Sequence, residues 1–312
     1  MSTGKRVAAV DCGTNSIRLL VADLDPETGA ETEIDRQMEI VRLGQGVDAT
    51  GRLADEALAR TFAACDRYAE IIRAHGAEHI RFVATSATRD ASNRDEFFAG
   101  VRERFGVEPE VITGHEEATL SFRGATSALA TDAAEYATPY LVVDIGGGST
   151  EFVLGGDKVQ AAKSVDVGCV RMTERHLTQD PPTQDQIDAA RRDIDAAIDV
   201  AAESVDLSRA RTLVGLAGSV TTMAALALGL EQYDRDRVHL SRIPAAVVRQ
   251  TASDLLAMTH EQRAAMSVIH PGRVDVIAAG ALILERIVDR LGVSEVVVSE
   301  HDILDGIALS QI

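Results

Sequence analysis

Two stretches of this chain share one hydrophobic–polar pattern. In the first, the apolar run Arg6-Val7-Ala8-Ala9-Val10 leads into Asp11-Cys12-Gly13-Thr14-Asn15-Ser16, and Ile17 to Ala22 follows as a second apolar run. In the other, Tyr140 to Val143 leads into Asp144-Ile145-Gly146-Gly147-Gly148-Ser149-Thr150-Glu151, and Phe152-Val153-Leu154 runs on to Gly155-Gly156. Short apolar runs bounded by turn residues predict buried strands, so each stretch reads as strand, turn and returning strand. The aspartate, glycine and serine fall at offsets zero, two and five in both. Such self-similarity marks an internal repeat. It predicts two similar domains facing each other across a cleft.

Between and after these hairpins the pattern alternates. A glycine-rich loop covers Arg42 to Asp48, and a helix is expected over about 54–74 with Gly76 as its C-cap. Ile80 to Ala84 reads as a strand running into a polar loop, Thr85 to Asp90. Asn93 is expected to cap a helix closing near Gly106; a short strand over 109–112 and a helix from Thr113 to about Leu129 follow. Residues 130–139 read as a connector. In the second half a β segment covers 159–165, a helix 168–177, and Pro181-Pro182 breaks the chain. Thr183 with Gln186 forms a capping box for a helix to about Ala202. A strand over 211–216 turns at Ala217 to Thr222 into a helix; helices over about 245–258, 261–268 and 273–291, a strand over 295–299 and a last helix from Asp302 complete the chain. This alternation predicts an α/β fold.

Composition narrows the function. At 312 residues and 46% hydrophobic content, one large or two medium domains are expected. There is no apolar run of membrane-spanning length, and Met-Ser-Thr-Gly-Lys-Arg has no signal-peptide pattern. Three scattered cysteines, Cys12, Cys65 and Cys169, have neither zinc spacing nor a disulfide framework, which fits a reducing cytoplasm. A formal net charge of −18 argues against broad binding of nucleic acid. A polyanionic ligand would need local arginines, backbone amides or a metal.

The glycine turn after Asp144 fits that need. Its backbone N–H groups can crowd around an anion, and Asp144 with Glu151 can hold a divalent cation against it; an ordinary hairpin turn is the plain alternative. The repeat extends both roles, with Asp11 as the matching acid and Gly13, Asn15 and Ser16 as matching turn residues. Gly218 and Ser219 sit at a helix start that either binds phosphate or is simply capped. Cys12 and Arg18 have the Cys-x5-Arg spacing of cysteine phosphatases, but a strand follows where that chemistry needs a helix. An aspartyl-phosphate enzyme favours a second acid two residues after the first. Both turns have glycine there, so direct attack by water is favoured. Glu116 and Glu117 open a helix either as favourable first-turn acids or as a general base. Arg89 is either a surface charge or a phosphate clamp. His115, His239, His270 and His301 are dispersed and read as structural or surface residues.

The two acid-glycine-serine motifs together resemble the exopolyphosphatase/guanosine pentaphosphate phosphatase family of the actin–sugar kinase–Hsp70 superfamily. Arg42 to Gly46, Thr85 to Arg89, Gly114 to Ala118, Ala217 to Thr221 and Arg273 to Ile277 agree with it. The last motif, His301 to Gly306, lacks the arginine-glutamate-glycine pattern often found there. The resemblance implies two actin-like (ribonuclease H-like) domains, about 1–125 and 126–299, with residues 300–312 packing back onto the first. It implies hydrolysis of the terminal phosphoanhydride of inorganic polyphosphate. Glu117 is then the base beside Glu116, and Asp144 and Glu151 hold Mg2+ or another divalent cation such as Mn2+. Asn15, Ser16, Gly146, Gly147, Gly148 and Ser149 cradle phosphate, and Arg89 clamps the terminal phosphoryl group. Guanosine pentaphosphate is the alternative substrate, with guanosine tetraphosphate as a further ligand; a kinase or a non-catalytic polyphosphate or alarmone sensor keeps the fold and changes the activity. A cytoplasmic homodimer is the expected form, without nucleic-acid or membrane partners.

Overall fold

In the computed structural model, which describes residues 4–129 and 135–312, the first apolar run becomes β1 (Lys5–Cys12). Its side chains alternate between two cores. Ala8, Val10 and Cys12 join one apolar cluster, and Val7 and Ala9 join another. A strand buried on both faces needs apolar residues at every position. That is why it reads as a continuous run.

Contacts divide the chain into two units, Met1–Gly124 with Ile303–Ile312, and Ala125–Asp302. In the first, β1 is followed by β2 (Ser16–Leu24), β3 (Glu31–Ile40), α1 (Val47–Thr50), α2 (Asp55–His75), β4 (His79–Ala84), α3 (Ser86–Asp90), α4 (Arg94–Phe105), β5 (Glu110–Val111) and α5 (Gly114–Leu129). The sheet order is β3-β2-β1-β4-β5. The β1–β2–β3 meander is antiparallel, and β4 and β5 add in parallel. Helix α2 begins with Asp55 and Glu56, closes with Arg73 and His75, and stops at Gly76 in the left-handed conformation, φ 67°. Acids at the start and bases at the end both favour the helix dipole.

The second unit repeats this plan. It contains β6 (Tyr140–Ile145), β7 (Thr150–Gly155), β8 (Val159–Val165), α6 (Cys169–Arg175), α7 (Gln184–Ala202), β9 (Thr212–Leu216), α8 (Ala217–Ala227), α9 (Arg235–Val238), β10 (Arg242–Pro244), α10 (Ala245–Ala257), α11 (His260–Ala264), α12 (Ile277–Leu291) and β11 (Glu295–Val298). Its sheet runs β10-β11-β9-β6-β7-β8, again an antiparallel meander extended by parallel strands, β9 and β11, with β10 antiparallel at the edge. The Thr183–Gln186 capping box forms at the start of α7.

The last helix, α13 (Ile303–Leu309), joins the first unit. Ile303, Leu304, Ile307 and Ala308 pack with Val7, Ala9, Leu20 and Leu120. Buried Asp305 pairs with Arg36 of β3. Gly306 lies so close to α5 that an added Cβ would come within 2.0 Å of the Leu120 carbonyl oxygen.

Several sequence expectations are corrected. Residues 86–90 form the short helix α3 and not a loop. Asn93 is the N-cap residue of α4 as expected, but its side chain makes no cap hydrogen bond; its amide bonds both backbone groups of Leu53, at 2.8 and 3.1 Å. The helix expected over 261–268 ends at Ala264, and the one expected from 273 begins at Ile277 after a 3-10 turn, Pro271–Arg273. Strand β3 had no apolar run to announce it, because none of its residues is fully buried. Residues 130–134 of the expected connector lie outside the described residues.

Candidate active site

Each hairpin turn closes on the same hydrogen bond. Gly13 N–H donates to the Ser16 carbonyl at 2.9 Å, and Gly146 N–H donates to the Ser149 carbonyl at 3.0 Å. The amides inside the loops, those of Thr14 and Asn15 in one and Gly147 and Gly148 in the other, carry no hydrogen bond among the described residues. Asn15 Oδ1 is likewise buried without a partner. Clustered donors of this kind make an anion-binding concavity. Ser16 sits beside the first turn, and Ser149 is almost fully buried in the second.

The two turns differ in the side chain opposite the acid. Antiparallel pairing places Asp144 directly across from Glu151, so both carboxyl groups lie on one face. Asp144 is 7% exposed and Glu151 1%. Ser164 Oγ donates to Glu151 Oε1 at 2.7 Å and fixes its orientation. Two like charges directly opposite each other repel, and a divalent cation would relieve this. Among the described residues no group of three or more His, Cys, Asp and Glu could hold a metal by itself. A pair suffices for Mg2+, which is bound through one or two carboxylates and takes its remaining ligands from water and phosphate. The donor set therefore fits the group.

In the first turn the equivalent position opposite Asp11 is Arg18. Its Nε and Nη2 both donate to Asp11 Oδ2, at 3.0 and 2.7 Å. Asp11, grouped with the metal carboxylates by the repeat, sits in a pair already balanced in charge. Cys12 is 1% exposed, and burial pushes its thiol well up, with Cys65 and Asp11 adding to the shift. A buried, protonated thiol on a strand has none of the features of a phosphatase nucleophile.

Glu116 and Glu117 diverge on α5. Glu116 is half-exposed and pairs with Arg81 at 2.9 Å; Arg81 also holds Glu110 and, through Nη1, Ser310 at 2.7 Å. Glu117 is buried, and Arg89 Nη1 donates to its Oε2 at 2.7 Å and to the Ile112 carbonyl at 2.8 Å. Arg89 Nη1 thus holds the Glu117 carboxylate in place.

At the start of α8, Arg273 overlies Gly218, where a Cβ would meet its guanidinium carbon at 2.1 Å. The Gly218 carbonyl accepts from Thr222 Oγ1 at 2.6 Å and Arg273 Nη1 at 3.3 Å. Ser219 is buried, packs on Gly280 and bonds the Cys169 thiol. His239 and His301, far apart in sequence, stack with ring centroids 4.8 Å apart. Sequence reasoning also passed over Gly168 and Arg171, which contact the second turn; nothing in their own pattern announces it.

Each unit thus carries a hairpin turn with unbonded amides; the first also holds a carboxylate fixed by arginine, and the second an opposed carboxylate pair. The profile of the Ppx/GppA phosphatase family matches residues 21–312, and the chain belongs to that family. It is 52% identical over 316 residues to Exopolyphosphatase 2 of Mycobacterium tuberculosis, covering 98% of each chain. The crystal structure of an exopolyphosphatase-like protein matches at TM-score 0.95 with 47% identity, over 99% of this chain and 98% of that one. The Aquifex aeolicus PPX-GPPA enzyme matches at TM-score 0.81 with 29% identity, over 98% and 99%. The fold is accordingly the actin-like two-domain α/β fold of that family.

Proposed function

We propose that this chain is an exopolyphosphatase that hydrolyses the terminal phosphoanhydride of inorganic polyphosphate and releases orthophosphate. The observation that carries the reading is the buried Asp144–Glu151 pair facing across the mouth of a turn with unbonded amides. Relatives named for the same activity support it.

In this reading Glu117 is the general base. It is buried and oriented by Arg89, whereas Glu116 is committed to Arg81. Glu117 accepts the proton of the attacking water; the water oxygen bonds to the terminal phosphorus, and the bridging oxygen leaves with the shortened chain. The amides of Gly147 and Gly148 hold phosphoryl oxygens as negative charge shifts toward them. Thr14 and Asn15 offer a matching pair of amides in the first unit for phosphate oxygens. Asp144 and Glu151 would hold the divalent cation, Mg2+ in this proposal, which when bound would supply positive charge against the phosphate. Arg89 positions the base and adds positive charge beside it.

The test is phosphate release from polyphosphates of several lengths and from guanosine pentaphosphate, with and without Mg2+. Cation-dependent release of orthophosphate from polyphosphate is expected. Glu117→Gln should lower turnover by about 10²–10⁴-fold, the usual contribution of a positioned base. A Glu117→Gln protein with full turnover, or release confined to guanosine pentaphosphate, would overturn the assignment.

A further inference from the structure

The carbonyl edge of the Gly146–Ser149 turn is occupied from one side. Cys169 N–H donates to the Gly146 carbonyl at 2.9 Å, and Val170 and Arg171 N–H donate to the Gly147 carbonyl at 2.9 and 3.1 Å. Arg171 Nε donates to the Gly148 carbonyl at 2.7 Å. Gly168 makes the approach possible. Its backbone is ordinary extended chain, so the need for glycine is space: a Cβ there would lie 2.4 Å from both the carbon and oxygen of the Gly147 carbonyl.

A trans peptide is planar, with its C=O and N–H pointing opposite ways. Pinning the carbonyls of Gly146, Gly147 and Gly148 toward α6 therefore aims the N–H groups of Gly147, Gly148 and Ser149 away from it. Hydrogen bonds accepted by a carbonyl also polarise the same peptide and strengthen its N–H as a donor. The first turn has the same construction, made from a different segment. Gly44 N–H donates to the Thr14 carbonyl at 2.8 Å, and Val41 and Arg42 N–H donate to the Asn15 carbonyl at 3.1 and 2.8 Å. Gly44 also sits where a Cβ would come within 2.3 Å of Thr14 Cγ2.

We propose that segment 168–171 is a positioning element of the second turn, with Gly168 and Arg171 as its positioning residues. It aims the turn's amides at the phosphate chain without touching that chain itself. The inference rests on the reading of this turn as a phosphate site.

The experiment uses the full chain carrying Glu117→Gln, so that ligand is not turned over. Tripolyphosphate with Mg2+ is titrated while the backbone amide resonances of Gly147 and Gly148 are followed by NMR. Those amides should shift on binding. Adding Gly168→Ala or Arg171→Met should weaken binding by about tenfold or more, as expected for loss of a charge-assisted hydrogen bond, and Arg171→Lys should restore part of it. Arg171→Met keeps the test decisive if Gly168→Ala folds poorly. If the amides shift in the parent and both variants bind equally well, the positioning role is refuted and the phosphate site stands. If the amides of the parent do not shift, the phosphate site itself fails and the inference with it.

Discussion

Glu151→Gln should make the cation-free protein more stable and the enzyme inactive. Asp144 and Glu151 are direct cross-strand partners, both buried. Cross-strand partners have Cβ atoms about 4.5–5.5 Å apart. Two unit charges about 5 Å apart repel by roughly 3 kcal/mol at an effective dielectric constant near 20. Glutamine removes one charge and keeps the shape, and its amide oxygen can still accept the bond from Ser164 Oγ. In urea titrations with a chelator present, the variant should therefore unfold later than the parent, by up to about 3 kcal/mol. Added Mg2+ should reverse the order. The parent gains RT ln(1 + [L]/Kd), about 2.7 kcal/mol at one hundred times Kd, and the variant gains little. Phosphate release should fall by about 10²-fold or more, the usual loss when charge stabilisation of a transition state is removed. A variant that is less stable than the parent in chelator, or that keeps Mg2+-dependent turnover, would refute the argument that this pair is built for a cation.

Gly306→Ala places a methyl group 2.0 Å from the Leu120 carbonyl of α5, so the helices must part by roughly 1 Å; turnover should drop by about 10²-fold with a stability loss of about 1–3 kcal/mol. Parent-like turnover would show that Glu117 does not depend on α13. Glu285 is raised above the usual carboxylate range by burial, and its Oε2 has no hydrogen-bond partner among the described residues. A raised folded-state pKa means that the folded protein holds this proton more tightly, so stability falls as pH rises through and above 4.5. Glu285→Gln should raise the melting temperature at pH 7, and the gain should disappear below about pH 4.5; a gain that persists in acid would assign it to packing. Cys12→Ser puts a hydroxyl in a fully buried apolar site and should cost about 1–3 kcal/mol while phosphate release continues; loss of release in a folded protein would revive thiolate chemistry.

The hairpins were legible because their strands are buried on both faces and their turns carry acids at fixed offsets. The roles of neighbouring residues were less so. The two glutamates at the start of α5 look alike in sequence, and only the positions of Arg81 and Arg89 separate them. Strand β3 has no fully buried residue and produces no hydrophobic run. The contacts of Gly168 and Arg171 join backbone groups some twenty residues away. Such bonds ignore side-chain identity on the accepting side, so no motif records them. His239 and His301 meet only because α9 and the segment after β11 converge.

The contrast between Arg18 and Glu151 was present in the sequence all along, at the same spacing from Asp11 and Asp144. It acquires meaning only through register. Both hairpins close with the same turn hydrogen bond, and both place the residue seven positions on directly opposite the acid. With a basic partner, as at Arg18, the acid forms an ion pair through one carboxylate oxygen, Asp11 Oδ2. With an acidic partner the same slot concentrates two buried carboxyl groups, the pair that the proposed reading assigns to a cation. One scaffold used twice can thereby support two different dealings with phosphate. In the proposed reading the cation goes with Asp144 and Glu151, which face each other across the strands, and Asp11 pairs with Arg18.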